Sequence, residues 1–411
     1  MNKLSICLSL LLINLSACSV TPNTESSSNH LAVVTAEKPQ KYRHKKSPEG
    51  VISVDIVNNN NQLHLLTGKL TQGQKSLWYQ SSKDGGKNWS TAVKILNDDN
   101  LAVKMTRGND AQITAQGHHI VVSWTKFDPE SRFKAGVMQA ARSSDGGQHW
   151  QYSMAPPDWN NGSHGFIDMS ADQYAMHAVW LDSRLGSTGI NATQGLHYAK
   201  STDGGISWQR NTTLDKMTCS CCWNTIKSDA DGNSYVLYRD KQPSDMSIGV
   251  INNQQQWAQL NSVGGFNWQF EGCPHIGGGL DFQAIAGKKR IHAVVGTGHE
   301  DHLGVHYLYS DDAGKNWSST KQLGTESAIH ADIAAHDDGR VVAVWDMMTA
   351  DGLAIFSAES KDQGNTWSNS KQISKPKIRG AHPRIVKTKE GFLALWTENV
   401  AQHLFLAYLL I

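Results

Sequence analysis

The sequence predicts an all-β protein, a seven-bladed β-propeller of four-stranded blades, on three observations. The phrase Ser-x-Asp-x-Gly-x-x-Trp occurs five times, at Ser82–Trp89, Ser143–Trp150, Ser201–Trp208, Ser310–Trp317 and Ser360–Trp367. Short runs suited to innermost strands begin near Val51, Asp110, Phe166, Trp223, Gly277, Ile329 and His382, at steps of 52 to 59 residues. The 36 Gly and 14 Trp among 411 residues suit many tight turns with a repeated aromatic plug. Repetition at a near-constant step decides architecture before any single residue decides chemistry.

The chain opens on a targeting segment. Lys3 precedes an apolar stretch, Leu4 to Leu15, which ends in Leu15-Ser16-Ala17-Cys18. That quartet resembles the bacterial lipobox, which implies lipidation of Cys18 and removal of residues 1–18 as a signal peptide. Residues 19–47, rich in Ser, Thr, Asn and Lys, read as a flexible tether. Residues 48–411 remain for a single propeller domain. The expected location is the bacterial cell envelope, facing the periplasm or the cell surface, with the membrane met through the lipid anchor alone. Lys and Arg number 38 against 37 Asp and Glu, so nothing favours nucleic acid.

Each repeated phrase follows an alternating run such as Leu196-His197-Tyr198-Ala199 and reads as a strand running into a turn. The Asp can accept backbone N–H bonds across that turn, the Gly allows a positive φ, and the Trp covers the hairpin. Upstream lie second runs ending in a bulky residue, such as Val121-Val122-Ser123-Trp124, Ala178-Val179-Trp180 and Val236-Leu237-Tyr238. The fourth unit keeps Trp257 without the Asp and Gly of the phrase, and the seventh stops at Ile411 before one. The outer strand missing from the seventh is expected from the N-terminal side, at Leu31–Thr35, which would close the ring.

A propeller builds its ligand face from the loops that lead into the innermost strands and those that leave the second strands. Five successive units place Cys or His just before or at an inner strand: His164, Cys219-Ser220-Cys221-Cys222, Cys273-Pro274-His275, His330 and His382. Convergence at the axis would bring residues some fifty positions apart around one point. Cys219, Cys221, Cys222, Cys273 and His275 form the candidate metal set, with His164, His330 and His382 as further ligands. Soft thiolates favour copper, as Cu(I), with zinc as the second choice. The same four cysteines could instead form disulfides, by any of three pairings, or supply a reactive thiol. The chain has one Cys-x-x-Cys and no pair of such units, so the spacing is not that of a zinc finger.

The repeated phrase resembles the Asp-box, or BNR repeat, of the sialidase superfamily. That resemblance covers essentially all of residues 48–411 and implies a propeller whose boxes sit on peripheral turns, away from the central site. Sialidases have six blades, which makes six the alternative count. The family clamps a sugar carboxylate with three arginines and cleaves with a Tyr nucleophile and an Asp acid/base. Arg184, Arg239 and Arg384, with Asp182 and Tyr238, are the matching candidates for a glycosidase acting on an anionic sugar. The family's Arg-Ile-Pro phrase is absent; the first inner strand opens Pro48-Glu49-Gly50-Val51-Ile52-Ser53. Without catalysis, the same face would serve as a scaffold for a glycan or an envelope protein partner.

Overall fold

A computed structural model describes residues 48–98, 101–131, 134–185 and 194–411. The expected leader with Cys18, the tether and the Leu31–Thr35 strand lie outside these residues. The described chain is built from antiparallel strands, with one 3-10 turn at Glu300–His302. No helix among the described residues is long and apolar enough to cross a membrane.

Seven inner strands are present among the described residues: Glu49–Asn59, Gln112–Gln116, His164–Ala171, Thr225–Ser228, Gly278–Ile285, Ala328–Ala335 and Arg379–Lys387. Each begins within three residues of its expected start. Every one pairs antiparallel with the strand that follows it, and neighbouring inner strands touch in order. Arg379–Lys387 in turn touches Glu49–Asn59, so the ring is closed. The third strand of the last unit, His403–Leu410, also pairs parallel with the start of the first, Glu49 with His403 and Gly50 with Leu404. Gly50 makes this possible: a Cβ there would stand 2.1 Å from the Leu404 carbonyl oxygen, at φ +98.

The repeated phrase has the same hydrogen bonds in each copy. In the last, Ser360 Oγ donates to Asp362 Oδ1 at 2.8 Å and accepts from Gly364 N at 2.8 Å. Thr366 N then donates to Asp362 Oδ1 at 2.8 Å. These turns also join units to one another. Trp367 packs edge-on against Tyr307 of the preceding unit at 4.6 Å, and Trp150 against Tyr79 at 5.5 Å. The Trp therefore plugs the seam between units as well as its own turn. The first unit's phrase docks on the last, since a Cβ at Gly86 would meet the Leu393 side chain at 2.9 Å. Where the fourth unit lacks the phrase, Asn252 Oδ1 accepts from Gln254 N and Gln256 N and turns the chain instead.

Side chains from the seven inner strands meet at the axis: Asp55, Gln112, Asp168, Lys227, Asp281, Asp332 and Arg384. Four of the carboxylates reach across to the next inner strand. Asp55 accepts from Ile113 N at 2.8 Å, Asp168 from Ile226 N at 2.7 Å, Asp281 from Ala335 N at 2.8 Å and Asp332 from Ile385 N at 3.0 Å. The Gln112 amide, with its nitrogen turned inward, donates to Asp55 and Asp168, each at 3.1 Å. Burial raises the Asp168 carboxyl to about 7, against the pull of Arg384, and burial also raises Asp55 and Asp332.

A carboxyl whose pKa rises on folding binds its proton more tightly in the folded state. Its stabilisation is complete below the unfolded value and is lost as pH rises through the folded one. For Asp168 that window runs from 3.8 to about 7. Asp168→Asn keeps an acceptor for Ile226 N but cannot ionise. Urea unfolding should show the wild type losing stability from about pH 4 to about pH 7, with a smaller loss in the variant. Equal losses would mean that Asp168 holds no such proton.

Candidate metal centre

Two connections between strands carry the cysteines. Cys219–Cys222 lie between the strands Thr212–Thr218 and Thr225–Ser228, and Cys273 and His275 between Trp257–Ser262 and Gly278–Ile285. The first loop is pinned at its start, where Cys219 N donates to the Arg239 carbonyl at 3.1 Å. Lys227 follows Cys222 by five residues, and Asp281 follows His275 by six, so the axial ring fixes how far both loops stand from the centre. His275 has φ +54, a conformation that costs a non-glycine residue free energy and aims its side chain.

These loops bring together the five residues expected to hold a metal. Potential ligand atoms of Cys219, Cys221 and Cys222 lie within 4.8 Å of one another, as do those of Cys221, Cys273 and His275. All four cysteines are free thiols. Cys219 Sγ is 2.7 Å from Cys222 Sγ and 3.9 Å from Cys221 Sγ. Cys219, Cys221 and Cys222 are buried beside Phe166, while Cys273 is exposed. These Cys and His groups can hold a metal ion.

The electrostatics favour a thiolate at the middle sulfur. Hydrogen bonds from Cys221 and then Cys222 hold the Cys219 thiol far below the ordinary thiol value, and Arg239 adds to the effect. The bond to Cys219 pushes Cys221 upward, and burial pushes Cys222 up to about 12. Arg239 is 1 % exposed. Its guanidinium donates to the carbonyls of Ile276, Ser244 and Gly296 and lies 5.1 Å from the Trp268 ring centroid. Burial lowers its own pKa, and the charges on Cys222 and Cys219 oppose that shift. A buried cation thus stands behind a cluster of thiols.

His330 and His382 form a separate group with Asp346. Their rings stack at 4.0 Å. Asp346 Oδ2 pairs with His330 Nδ1 at 2.8 Å and accepts from His382 N at 2.8 Å, so the carboxylate orients both residues. Trp223 lies over them, with ring centroids 5.2 Å from His330 and 5.9 Å from His382. Its indole also fills the space beside Gly277 and Gly108, so Trp223 crosses the channel mouth. The pocket there, lined by Arg107, Trp223, His330, His382 and Arg384, holds 20 Å³, room for about one water. A larger cavity of 530 Å³ opens where the inner strands end, and no cysteine lines it.

Other expected residues go elsewhere. His164 joins neither group: its ring is buried in the wall, with Nδ1 accepting from Met138 N at 2.9 Å. Burial lowers its pKa to about 4. The glycosidase candidates are all engaged with protein groups. Arg239 spends its N–H groups on backbone carbonyls, and Arg384 serves the axial carboxylates. Arg184 is held by Asp182, Asp158 and Asn211. Asp182 is fully buried and, despite that burial, held far below the ordinary carboxylate value by His197 and Arg184, the reverse of what a general acid needs. Tyr238 is fully buried, and its hydroxyl donates to Asp215 at 3.0 Å. Arg239, behind the thiols, and Trp223, across the mouth, are the residues whose place the sequence did not reveal.

No family model and no curated protein matches the chain. Solved structures do. YCF48 bound to D1 peptide is 14 % identical and covers 89 % of this chain and 93 % of its own, with a TM-score of 0.52. A polysaccharide lyase of family PL25, an ulvan lyase bound to a GlcA–Rha3S saccharide, is 11 % identical, covers 89 % and 94 %, and has a TM-score of 0.57. A mutant of Trypanosoma rangeli sialidase displaying trans-sialidase activity is 10 % identical, covers 87 % and 54 %, and has a TM-score of 0.45. The fold is an all-β propeller, a likeness carried by the first two of these. At these identities the likeness concerns fold alone, and the chemistry of this propeller has to come from its own residues.

The burial pattern orders the thiols by reactivity. In the reduced, metal-free protein, a bulky maleimide should modify Cys273 at least about tenfold faster than any other cysteine, because access as well as thiolate character sets the rate. Peptide mass mapping after partial labelling reads this out. Labelling of Cys219, Cys221 or Cys222 as fast as Cys273 would contradict the buried cluster.

Proposed function

We propose that this sialidase-like propeller is a metal-binding lipoprotein of the bacterial envelope, and that its ion is copper, held as Cu(I). The observation that carries the reading is the convergence of three buried sulfurs, with a further Cys and a His reaching the same Cys221. Thiolates select soft ions, and the three buried sulfurs pack against Phe166, which offers no oxygen ligand of the kind hard cations need. Zinc is the second choice, because its structural sites are almost always four-coordinate and the buried triad offers three sulfurs. When bound, the ion would supply charge to neutralise the thiolates. The chain's own part is to bring the thiols together, hold Cys219 ready as a thiolate and place Arg239 behind it.

We read the seven inner strands as seven blades, which separates this chain from the six-bladed enzymes whose boxes it shares. Glycoside hydrolysis is not assigned, since Arg184, Arg239, Asp182 and Tyr238 are all engaged inside the protein. The lipid anchor at Cys18 follows from the lipobox resemblance.

The reading is tested on the full chain purified without chelator, by metal content and free-thiol count on one sample. The expected result is about one copper per chain after reconstitution with Cu(I), lost in Cys221→Ser, the residue shared by both triads. Failure to bind any copper with all four thiols reduced would overturn it. For the anchor, Cys18→Ala should move the protein from the membrane fraction to the soluble fraction. An unchanged distribution would exclude lipidation there.

A further inference from the structure

We propose that the cluster is two overlapping metal positions: an outer one, Cys221–Cys273–His275, that receives the ion, and an inner one, Cys219–Cys221–Cys222, that keeps it. This rests on the metal-binding reading above and assigns each ligand a place in a sequence of events.

Three observations support the division. The five residues do not fall within 4.8 Å as one set; they fall into two triads that share only Cys221. The triads differ in access. Cys273 and His275 are exposed, whereas Cys219 and Cys221 are 6 % exposed and Cys222 1 %. They also differ in chemistry. The outer triad mixes sulfur with an imidazole, which leaves as a neutral group. The inner triad is all sulfur, against Phe166 and with the Arg239 cation behind it. An ion softer than zinc moves toward the all-sulfur set.

The exchange is by ligand substitution. Cys221 Sγ keeps its bond throughout, so the ion is never released. Bonds from Cys219 and Cys222 Sγ form as those to Cys273 Sγ and the His275 ring nitrogen break. Any proton still carried by Cys219 or Cys222 leaves as its sulfur binds. One is taken up by the departing Cys273 and the rest passes to solvent. No oxidant or reductant is needed, because copper stays Cu(I) and all four sulfurs stay reduced.

Backbone geometry supports the order of events. The inner loop is anchored by the hydrogen bond from Cys219 N to the Arg239 carbonyl. The outer ligands flank Pro274, and His275 in its left-handed conformation presents the imidazole at the surface. A donor molecule can therefore reach Cys273 and His275, but not Cys222.

The test separates rate from affinity. Reduced full chain is mixed with Cu(I) supplied as its bathocuproine disulfonate complex, and loss of the chelator's colour is followed by stopped flow and at equilibrium. Cys273→Ser and His275→Ala should slow uptake by roughly an order of magnitude while leaving the equilibrium affinity within about threefold of wild type. Cys222→Ser should weaken the equilibrium affinity by more than about tenfold and leave the first phase of uptake at the wild-type rate. Near-ultraviolet circular dichroism confirms that each variant is folded. Wild-type rates in both outer variants would overturn the outer position. Equal affinity loss in all three variants would overturn the division and leave one five-residue site. Absence of binding in the wild type itself would overturn the metal reading, a different and separately visible result.

Discussion

Everything in this propeller depends on the crowding of charged side chains where seven inner strands approach one axis. Four carboxylates, Asp55, Asp168, Asp281 and Asp332, face two cations, Lys227 and Arg384, along the narrow channel between the inner strands. Charge withdrawn from bulk water is tolerated when paired and hydrogen-bonded, and each carboxylate meets that condition by accepting an N–H from the neighbouring inner strand. The bonds fix the register of one unit against the next. Register at the axis in turn fixes the loops just upstream, so the distance from Lys227 back to Cys222 and from Asp281 back to His275 becomes a distance in space. Residues some fifty positions apart meet because the ring closes, not because the sequence spaces them as a ligand motif.

The same ring explains the division between the two groups at the mouth. His330 and His382 stand two residues before Asp332 and Arg384, near the axis, and Asp346 ties them together. The cysteines lie further upstream in longer loops, and they gather to one side, over Phe166 and beside Arg239. Trp223, between Cys222 and the inner strand that carries Lys227, spans the distance from one group to the other. A buried arginine with its N–H groups on backbone carbonyls retains its charge, and that charge is spent on the thiols. The result is a buried cluster in which Cys219 is favoured as the thiolate and Cys221 and Cys222 keep their protons.

Much of this was legible in the sequence. Repetition of Ser-x-Asp-x-Gly-x-x-Trp located the turns, and the steps between apolar runs located the inner strands to within three residues. The convergence of Cys219, Cys221, Cys222, Cys273 and His275 followed from the step alone. What the sequence hid was side-chain direction. His164 occupies the right unit and the right register, yet its ring turns into the wall to accept from Met138 N. Arg239 looked like a substrate clamp because it stands in a loop expected at the channel mouth; here the Gly296 and Ile276 carbonyls take it inward. Many of the histidines are likewise structural: His64, His177 and His292 each bond a Tyr hydroxyl of the next strand at 2.8 Å. Such pairs occupy second strands, a position that the spacing of His in the chain does not mark.

The central claim is that the buried sulfurs of this propeller are ligands. X-ray absorption at the copper K edge of the Cu(I)-loaded, reduced full chain tests it most directly, since the scattering shell identifies the atoms bound. The structure predicts a first shell of sulfur in low coordination, three atoms when the ion occupies Cys219, Cys221 and Cys222. A shell of nitrogen and oxygen without sulfur would contradict it, and would move the site to His330 and His382 under Trp223.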